Sequence, residues 1–217
     1  MRNDVNKKYS VIVFDLGNVL IPFDYNILLK KLEEIEHGLG NKLMEYYRSN
    51  YSIHRKFEKG LVTEKEFVGK MLDAVDNKIN AETFCNHYAN IFRVNEQVVS
   101  LLPILHKNYN LYLLSNTDSI HQKYGWQKYD FLKYFDKLIL SHEIGAVKPE
   151  KKIYRTVEKY SGLPSKKHLF IDDIEEYVNA AVNLGWGGIH FNDYNSLVNE
   201  FNAIGILINT KGITNGY

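Results

Sequence analysis

Cysteine is almost absent from this chain of 217 residues, which contains only Cys85. One cysteine excludes a disulfide within the chain, and a reducing compartment is the default for such a protein. The first ten residues are polar and lack the apolar centre of a signal peptide. We therefore expect a cytoplasmic protein, with Cys85 packed in an apolar helix as a small core residue.

An excess of charge of either sign is also missing, since 27 Lys and Arg residues oppose 26 Asp and Glu residues. This balance gives no reason to expect nucleic acid or an anionic membrane as a partner. No uncharged apolar run approaches the roughly 20 residues of a membrane span. The chain has no internal repeat, and its histidines show no metal-ligand spacing. The remaining composition, 45% hydrophobic and 24% charged, is that of a soluble globular protein of unspecified oligomeric state.

The first ordered feature is the apolar run VIVF at residues 11–14, which ends at Asp15. A short apolar run without polar alternation is typical of a strand buried on both faces of a parallel sheet. Gly17 and Asn18 follow, and both tolerate unusual backbone angles. Ligands bind beyond the carboxyl ends of strands in such sheets, so Asp15 is a candidate nucleophile or metal ligand. Its alternative role is to stabilise the turn or cap the next helix.

A helical segment interrupts the α/β pattern after this strand. Apolar residues recur there at helical spacing and predict four or five helices and no strand. Thr63 precedes Glu66 by three residues, which is the capping-box pattern of a helix start. We therefore predict an α/β core of residues 1–21 plus 95–217 and an inserted helical cap of residues 22–94. The cap is expected to close over Asp15, with a few of the chain's 16 tyrosines lining a pocket.

Strands and helices alternate through the rest of the chain. Further strands are predicted at residues 111–114, 138–140, 169–171 and 188–191. Helices are predicted at residues 95–106, 150–161, 174–184 and 196–201. This alternation predicts a Rossmann-like parallel sheet flanked by helices, with a frayed tail at residues 211–217.

Polar side chains with chemical uses follow four of the predicted strands: Asp15, Ser115 with Asn116, Lys148 in a longer loop, and Asp172 with Asp173. The carboxyl ends of parallel strands share one edge, so we expect these groups to meet. A carboxylate can attack phosphorus and form an acyl phosphate, while Ser115 and Asn116 can donate to phosphate oxygens. Lys148 can neutralise developing charge. Clustered carboxylates repel unless a cation compensates, and Mg²⁺ is the natural hard cation for such a site.

Four motifs make a more specific comparison possible: FDLGNVL at 14–20, LLSNT at 113–117, GAVKP at 145–149 and FIDD at 170–173. On these motifs the chain resembles the haloacid dehalogenase-like hydrolase superfamily, in the form that has a small helical cap. The resemblance covers the core from residue 11 to about residue 191. It implies Asp15 as nucleophile, Ser115 and Asn116 on the phosphate, and Lys148 as the orienting cation.

The same resemblance implies a magnesium ion held by Asp15, the backbone carbonyl of Gly17 and Asp172, with Asp173 in or near the layer behind these ligands. Position 17 departs from most phosphatases of the family, which carry a second Asp there as general acid and base. Gly17 preserves the carbonyl ligand but removes that acid. The DLGNV form resembles bacterial sugar phosphatases that act on glucose 1-phosphate. Asp24 is a candidate for the missing proton donor, and its alternative role is a helix N-cap.

Three functions are compatible with these residues. The leading one is a magnesium-dependent phosphatase of a small phosphorylated metabolite, such as a sugar phosphate, which forms an aspartyl phosphate on Asp15. A 2-haloacid dehalogenase also uses an Asp nucleophile and needs no acid, although three clustered carboxylates argue against a metal-free site. The third is a protein that binds a phosphorylated ligand with little turnover.

Overall fold

The computed structural model describes residues 7–208, and the predicted frayed tail at 211–217 lies outside them. Five strands form one sheet in the order β3-β2-β1-β4-β5, and every pairing is parallel. The strands are β1 Val11–Phe14, β2 Asn110–Ser115, β3 Lys137–Leu140, β4 His168–Asp172 and β5 Gly187–His190. The predicted α/β fold with a parallel sheet is confirmed.

Helices fall into an inserted group and a group that flanks the sheet. The inserted helices are α1 Asn26–Ile35, α2 Leu39–Ser49, α3 Tyr51–Glu58, α4 Glu64–Ala74 and α5 Ala81–Ala89. The flanking helices are α6 Glu96–Val99, α7 Leu102–His106, α8 Ser141–Ile144, α9 Lys151–Ser161, α10 Glu175–Asn183 and α11 Tyr194–Ala203. A π-helix at His121–Trp126 and 3₁₀ turns at Asp130–Tyr134 and Ser165–Lys167 complete the regular structure.

Strand β1 is central because apolar layers cover both of its faces, and none of its four side chains is exposed. Ile12 and Phe14 pack in a cluster with residues of α7 and α11. Val11 and Val13 point the other way, into a cluster with residues of α9 and α10. Successive side chains of a strand face opposite sides, so burial on both sides requires the continuous apolar run seen in the sequence.

The inserted helices have an apolar core of their own. Leu32, Phe67 and Phe84 are fully buried there, and the rings of Phe57 and Phe67 stack with centroids 4.2 Å apart. Thr63 and Glu66 form the predicted capping box at the start of α4. Cys85 is buried in this core, and burial raises the pKa of its thiol to about 11.

Two chain segments connect the inserted helices to the sheet, and they run side by side. The N–H of Asp24 donates to the carbonyl of Ile91 at 3.0 Å, and the N–H of Arg93 donates to the carbonyl of Pro22 at 2.9 Å. These bonds lie at the predicted cap boundaries of 22 and 94, which stay a prediction. The insert therefore enters and leaves at one place, beside the carboxyl end of β1.

The sequence predicts a single helix over residues 95–106, and this prediction is wrong, because two short helices, α6 and α7, occupy that segment. Pro103 lies in the first turn of α7. Proline has no N–H to donate to the preceding turn, so a helix can begin at this residue but cannot run through it. Within residues 7–208, no helix is both long enough and apolar enough to cross a membrane.

Candidate active site

Three carboxylates meet at the edge of the sheet where β1 and β4 end. Asp15, Asp172 and Asp173 each offer an oxygen within 4.8 Å of the others. Phe14 and Ile171 are paired in register, so the residues that follow them emerge side by side. Asp15 and Asp172 are buried, and Asp173 is half-buried. The predicted meeting of strand ends is thus seen in the geometry.

Lys148 lies between two of these carboxylates. Its ammonium is 2.7 Å from Oδ1 of Asp15 and 2.6 Å from Oδ2 of Asp172, and its side chain is 1% exposed. Burial raises the pKa of Asp15 to about 8, which the charge of Lys148 opposes and that of Asp172 reinforces. Burial disfavours the charged lysine, but the two carboxylates outweigh it and raise the pKa of Lys148.

The donor set at this edge fits a hard divalent cation. Three carboxylates and one ammonium carry an excess of negative charge in a buried place, which such a cation would balance. Gly17 lines the same cavity, and its carbonyl accepts from the N–H of Val19 at 2.7 Å. A carbonyl oxygen has a second lone pair, so this bond does not exclude it as a ligand.

Asp173 is held by the turn that follows β1. The side-chain amide of Asn18 donates to Oδ2 of Asp173 at 3.0 Å, and Asn18 has a left-handed φ of 54°. Asp172, and not Asp173, accepts from the N–H of Ile174 at 2.8 Å, just before α10 begins. The carboxylate of Asp173 therefore does not cap α10.

Ser115 and Asn116 line the cavity at the end of β2. The Asn116 side chain also pairs with the backbone of Lys148. Its Oδ1 accepts from the Lys148 N–H at 2.7 Å, and its amide donates to the Lys148 carbonyl at 3.2 Å. Asn116 thus positions the lysine, a role that the sequence did not predict.

Asp24 is not brought to this site. It is exposed, its carboxylate accepts from the N–H of Asn26 at 2.9 Å, and it is not among the described residues that line the cavity. This carboxylate belongs to the turn that leads into α1, although Tyr25 and not Asp24 occupies the N-cap position of that helix. The proposal of Asp24 as proton donor does not fit this geometry.

The cavity above Asp15 measures about 280 Å³ and is covered by the inserted helices. The insert contributes Tyr25, Tyr47, Tyr51, His54, Arg55 and Glu58 to its wall. Arg55 crosses to the core, where its Nη2 donates to the carbonyl of Lys148 at 3.3 Å. Lys59 likewise forms an ion pair with Glu150. The insert is therefore in contact with the loop that carries the buried lysine.

A second buried polar cluster, which the sequence did not reveal, joins the insert to the core. Oδ2 of Asp118 lies 3.0 Å from Nδ1 of His121 and accepts from the hydroxyl of Tyr88 at 3.1 Å. The rings of Tyr88 and His121 stack with centroids 4.1 Å apart. Burial opposes ionisation of Asp118, but the charge and hydrogen bonds of His121 outweigh burial and lower its pKa to about 2. The available signal was an Asp and a His three residues apart, directly after LLSNT.

Comparison with known proteins identifies the family of this chain. The family model of the haloacid dehalogenase-like hydrolases matches residues 9–185. The chain belongs to this family. The family membership predicted from the four motifs is thereby confirmed, and the chain is a haloacid dehalogenase-like hydrolase.

Relatives of this hydrolase include two curated bacterial enzymes. The D-ribitol-5-phosphate phosphatase of Bacteroides thetaiotaomicron is 26% identical over 81% of this chain and 88% of the relative. The pyrimidine 5′-nucleotidase of Escherichia coli is 24% identical over 82% of this chain and 84% of the relative. A family enzyme of Bacteroides thetaiotaomicron, solved with magnesium and inorganic phosphate, superposes with a TM-score of 0.77 and 28% identity, covering 87% of this chain and 98% of that one.

Proposed function

We propose that this hydrolase is a magnesium-dependent phosphatase of small phosphorylated metabolites, with Asp15 as the nucleophile. The observation that carries the proposal is the position of the Lys148 ammonium, within 2.7 Å of both Asp15 and Asp172 at the edge of the sheet. A buried carboxylate held by a cation beside further carboxylates suits attack on phosphorus with a metal present. The names of the relatives agree with this reaction.

In the first step, an oxygen of Asp15 bonds to phosphorus while the bond from phosphorus to the leaving oxygen breaks. This gives an aspartyl phosphate and an alkoxide, which takes a proton from water to become the free alcohol. In the second step, water attacks this phosphorus, releases inorganic phosphate and regenerates Asp15. Lys148 holds the Asp15 side chain in place, and its charge favours the ionised form of Asp15 against the effect of burial. Ser115 lies at the neighbouring strand end, where its hydroxyl can donate to the phosphoryl oxygens.

Asp15, Asp172 and the carbonyl of Gly17 would hold the magnesium ion, with Asp173 beside them. When bound, Mg²⁺ supplies positive charge that stabilises the transferring phosphoryl group. The carboxylate excess described above supports this assignment, as does the relative solved with magnesium and phosphate. We place the activity in the cytoplasm, where a lone thiol such as Cys85 stays reduced.

A sugar or sugar alcohol phosphate is the substrate class that we propose. The cavity of about 280 Å³ suits a small molecule, and tyrosines form much of its outer wall. Tyrosine rings pack on the apolar faces of a sugar while their hydroxyls hydrogen-bond. Glucose 1-phosphate and ribitol 5-phosphate are the two candidates suggested by the DLGNV motif and by the first relative.

A hydrolysis screen tests the proposal. The chain is assayed on p-nitrophenyl phosphate and on a panel of phosphorylated metabolites, first with Mg²⁺ and then with an excess of chelator. We expect turnover that the chelator abolishes and added Mg²⁺ restores. Undiminished phosphatase activity in chelator would overturn the metal assignment. Release of halide from a 2-haloacid, without phosphate release from any ester, would favour the dehalogenase alternative.

A further inference from the structure

One carboxylate of the insert lines the cavity above Asp15, and the reaction described above does not use it. Glu58 is the last residue of α3, and its side chain is 11% exposed. Its Oε2 accepts from Nη1 of Arg55 at 2.7 Å and lies 3.9 Å from Nδ1 of His54. Among residues 7–208, no group forms a hydrogen bond with the other oxygen, Oε1.

This unpaired oxygen is open to a small molecule. Within the described part of the chain, Nε2 of His54 is the sole fully buried side-chain nitrogen or oxygen that lacks a hydrogen-bond partner. Oε1 of Glu58 also lacks a partner, so it cannot be fully buried. Glu58 as a whole is only 9% exposed and lines the cavity, so a group bound inside the cavity is what can reach Oε1.

Arg55 links this carboxylate to the reacting groups. Its Nη1 binds Glu58, and its Nη2 donates at 3.3 Å to the carbonyl of Lys148, the residue whose ammonium contacts Asp15. Burial raises the pKa of Tyr177 of α10, the charges of Arg55 and Lys148 oppose this effect, and that of Glu58 adds to it. Tyr177 lines the cavity from the core, so Glu58 faces the core across the cavity.

Charge limits what Oε1 can bind. An ionised carboxylate accepts hydrogen bonds and donates none, so its partner must be a donor. Arg55 balances the charge of Glu58, which leaves no net charge to attract an ammonium group. Arg55 is also the one lysine or arginine that the described part of the insert contributes to the wall, and both of its terminal nitrogens already donate. A second phosphate or a carboxylate would therefore meet Oε1 with charge of the same sign, whereas a neutral hydroxyl can donate to it.

We propose that Oε1 of Glu58 accepts a hydrogen bond from a hydroxyl of the substrate. This contact selects phosphorylated sugars and sugar alcohols over esters that lack hydroxyls or carry a second anionic group. The inference rests on the proposed phosphatase function and assigns substrate choice to one carboxylate of the insert. Glu58 binds the part of the substrate away from the reacting phosphorus, so loss of this contact is expected to raise KM more than it lowers kcat.

Two sets of matched esters test the inference. The first set is ribitol 5-phosphate, pentyl phosphate without hydroxyls, and 5-phosphoribonate, in which a carboxylate replaces the terminal hydroxymethyl group. The second set is glucose 1-phosphate and glucuronic acid 1-phosphate, which differ in the same replacement and share an anomeric leaving group. Values of kcat and KM are measured with Mg²⁺ present.

Two variants of Glu58 are compared with the natural chain. In Glu58→Gln the amide oxygen must accept from Arg55, which places the amide nitrogen at Oε1 and turns an acceptor into a donor. Glu58→Ala removes the acceptor and frees Nη1 of Arg55. Glu82→Gln is the matched control, because Glu82 is exposed on α5 and does not line the cavity.

The natural chain is expected to prefer the hydroxylated ester in at least one set. Glu58→Gln and Glu58→Ala should each reduce that preference about tenfold, as expected for the loss of a hydrogen bond to a charged group. The discrimination against the carboxylated ester should fall most, since an amide N–H or a freed guanidinium can donate to a carboxylate. Glu82→Gln should retain the natural preference. Thermal unfolding shows whether each variant is folded, and the preference of the natural chain is measured independently of any variant.

The possible failures are distinct. Turnover with no preference for the hydroxylated ester in either set would overturn the inference. An equal loss for all members of a set in both Glu58 variants would also overturn it, because a purely structural ion pair gives that result. Either outcome would leave the phosphatase proposal standing. Absence of turnover on all five esters and on p-nitrophenyl phosphate would overturn the phosphatase proposal and this inference with it.

Discussion

The ring of Phe23 lies so close to Gly17 that a Cβ atom built on Gly17 would be 3.1 Å from Cε1 of that ring. Phe23 packs edge-on against Tyr25 and Phe92, with centroids 5.7 Å and 6.2 Å away. A side chain at position 17 would require this ring to shift by at least a few tenths of an ångström, and Phe23 is 39% exposed at the mouth of the cavity. An aromatic group thus occupies the space beside the position where most phosphatases of the family carry their general acid.

The first prediction concerns the leaving group. A positioned general acid contributes about 10²–10⁴-fold in rate, and position 17 offers none. Aryl and anomeric sugar phosphates, whose leaving groups are more acidic, should therefore react faster than alkyl phosphates. The second step also lacks a base, so the aspartyl phosphate should accumulate and give a burst. Rapid-quench kinetics over a leaving-group series measures both effects, and equal rates without a burst would contradict them.

A reconstructed acid provides the matching gain of function. Gly17→Asp combined with Phe23→Leu gives the new carboxylate room, whereas Gly17→Asp alone places it against the ring. We expect the double variant to hydrolyse alkyl phosphates at least about tenfold faster than Phe23→Leu alone, with a weaker dependence on the leaving group. The single Gly17→Asp variant should gain less. No gain in the double variant would mean that position 17 does not face the leaving oxygen.

The second prediction concerns Lys148. Lys148→Met removes the ammonium between Asp15 and Asp172 and leaves these two buried side chains without the cation that they share. We expect kcat/KM to fall at least about 10²-fold and the free energy of unfolding without metal to fall by about 3 kcal/mol. Added Mg²⁺ should raise the thermal midpoint more in this variant than in the natural chain, because the ion replaces the lost charge.

Lys151→Met is the matched control for that change. Lys151 begins α9 and is exposed, so the same substitution there should alter stability by less than about 0.5 kcal/mol. An equal response to Mg²⁺ in the natural chain and in Lys148→Met would show that the ion does not bind beside the lysine. Asp15→Asn completes the set, since loss of the nucleophile should abolish turnover altogether.

Much of the core could be predicted from the sequence, because its pattern is local. The strand from Val11 to Phe14 is buried on both faces, and its four consecutive apolar residues are enough to predict this burial. The convergence of Asp15, Asp172 and Lys148 also followed from one rule about parallel strands. The division of α6 from α7 depended on a single proline, Pro103, whose significance the periodicity obscured.

The remaining features depend on contacts between distant residues. The amide of Asn116 pairs with a backbone 32 positions later, which no local pattern indicates. The wall of the cavity is likewise built from two distant parts of the chain, the insert and the core. Asp24 was a candidate proton donor because it lies near the start of the insert in the sequence. In the structure its carboxylate accepts a hydrogen bond within its own turn and does not line the cavity. The polar residues at the strand ends therefore allowed the type of reaction to be predicted, whereas the sequence of the insert did not indicate the substrate.

The third prediction concerns acid stability. The folded pKa of Asp118 is about 2, below its ordinary value of 3.8, so its ionised form stabilises the fold. That stabilisation is fully present above about pH 4 and is lost as the pH falls through 2. Asp118→Asn should cost about 3 kcal/mol at neutral pH, because it leaves His121 without its charged partner. The difference between the variant and the natural chain should shrink as the pH is lowered from 4 to 2.

Asp73→Asn is the control for Asp118→Asn, since Asp73 is exposed on α4 and the charge lost is the same. We expect a change below about 0.5 kcal/mol and no change in the shape of the pH profile. Chemical unfolding at several pH values measures both variants. A constant penalty for Asp118→Asn at every pH would show that the ionised carboxylate is not what joins Tyr88 to the core.

The last prediction concerns the contact between the insert and the core beside the cavity. Gly60 follows α3 with a φ of +66°, and a Cβ built there would lie 2.3 Å from the carbonyl oxygen of His142. Gly38 has a φ of +92°, but a Cβ on it would meet nothing within 4 Å.

Alanine at either position costs about 1–2 kcal/mol of left-handed strain, whereas Gly60→Ala must also push α3 away from the core. We expect Gly60→Ala to lower kcat/KM about tenfold or more and Gly38→Ala to change it less than twofold, since small misplacements are costly in catalysis. Steady-state kinetics of the two folded variants decides the matter, and equal effects would mean that closure of the insert over Asp15 does not depend on this contact.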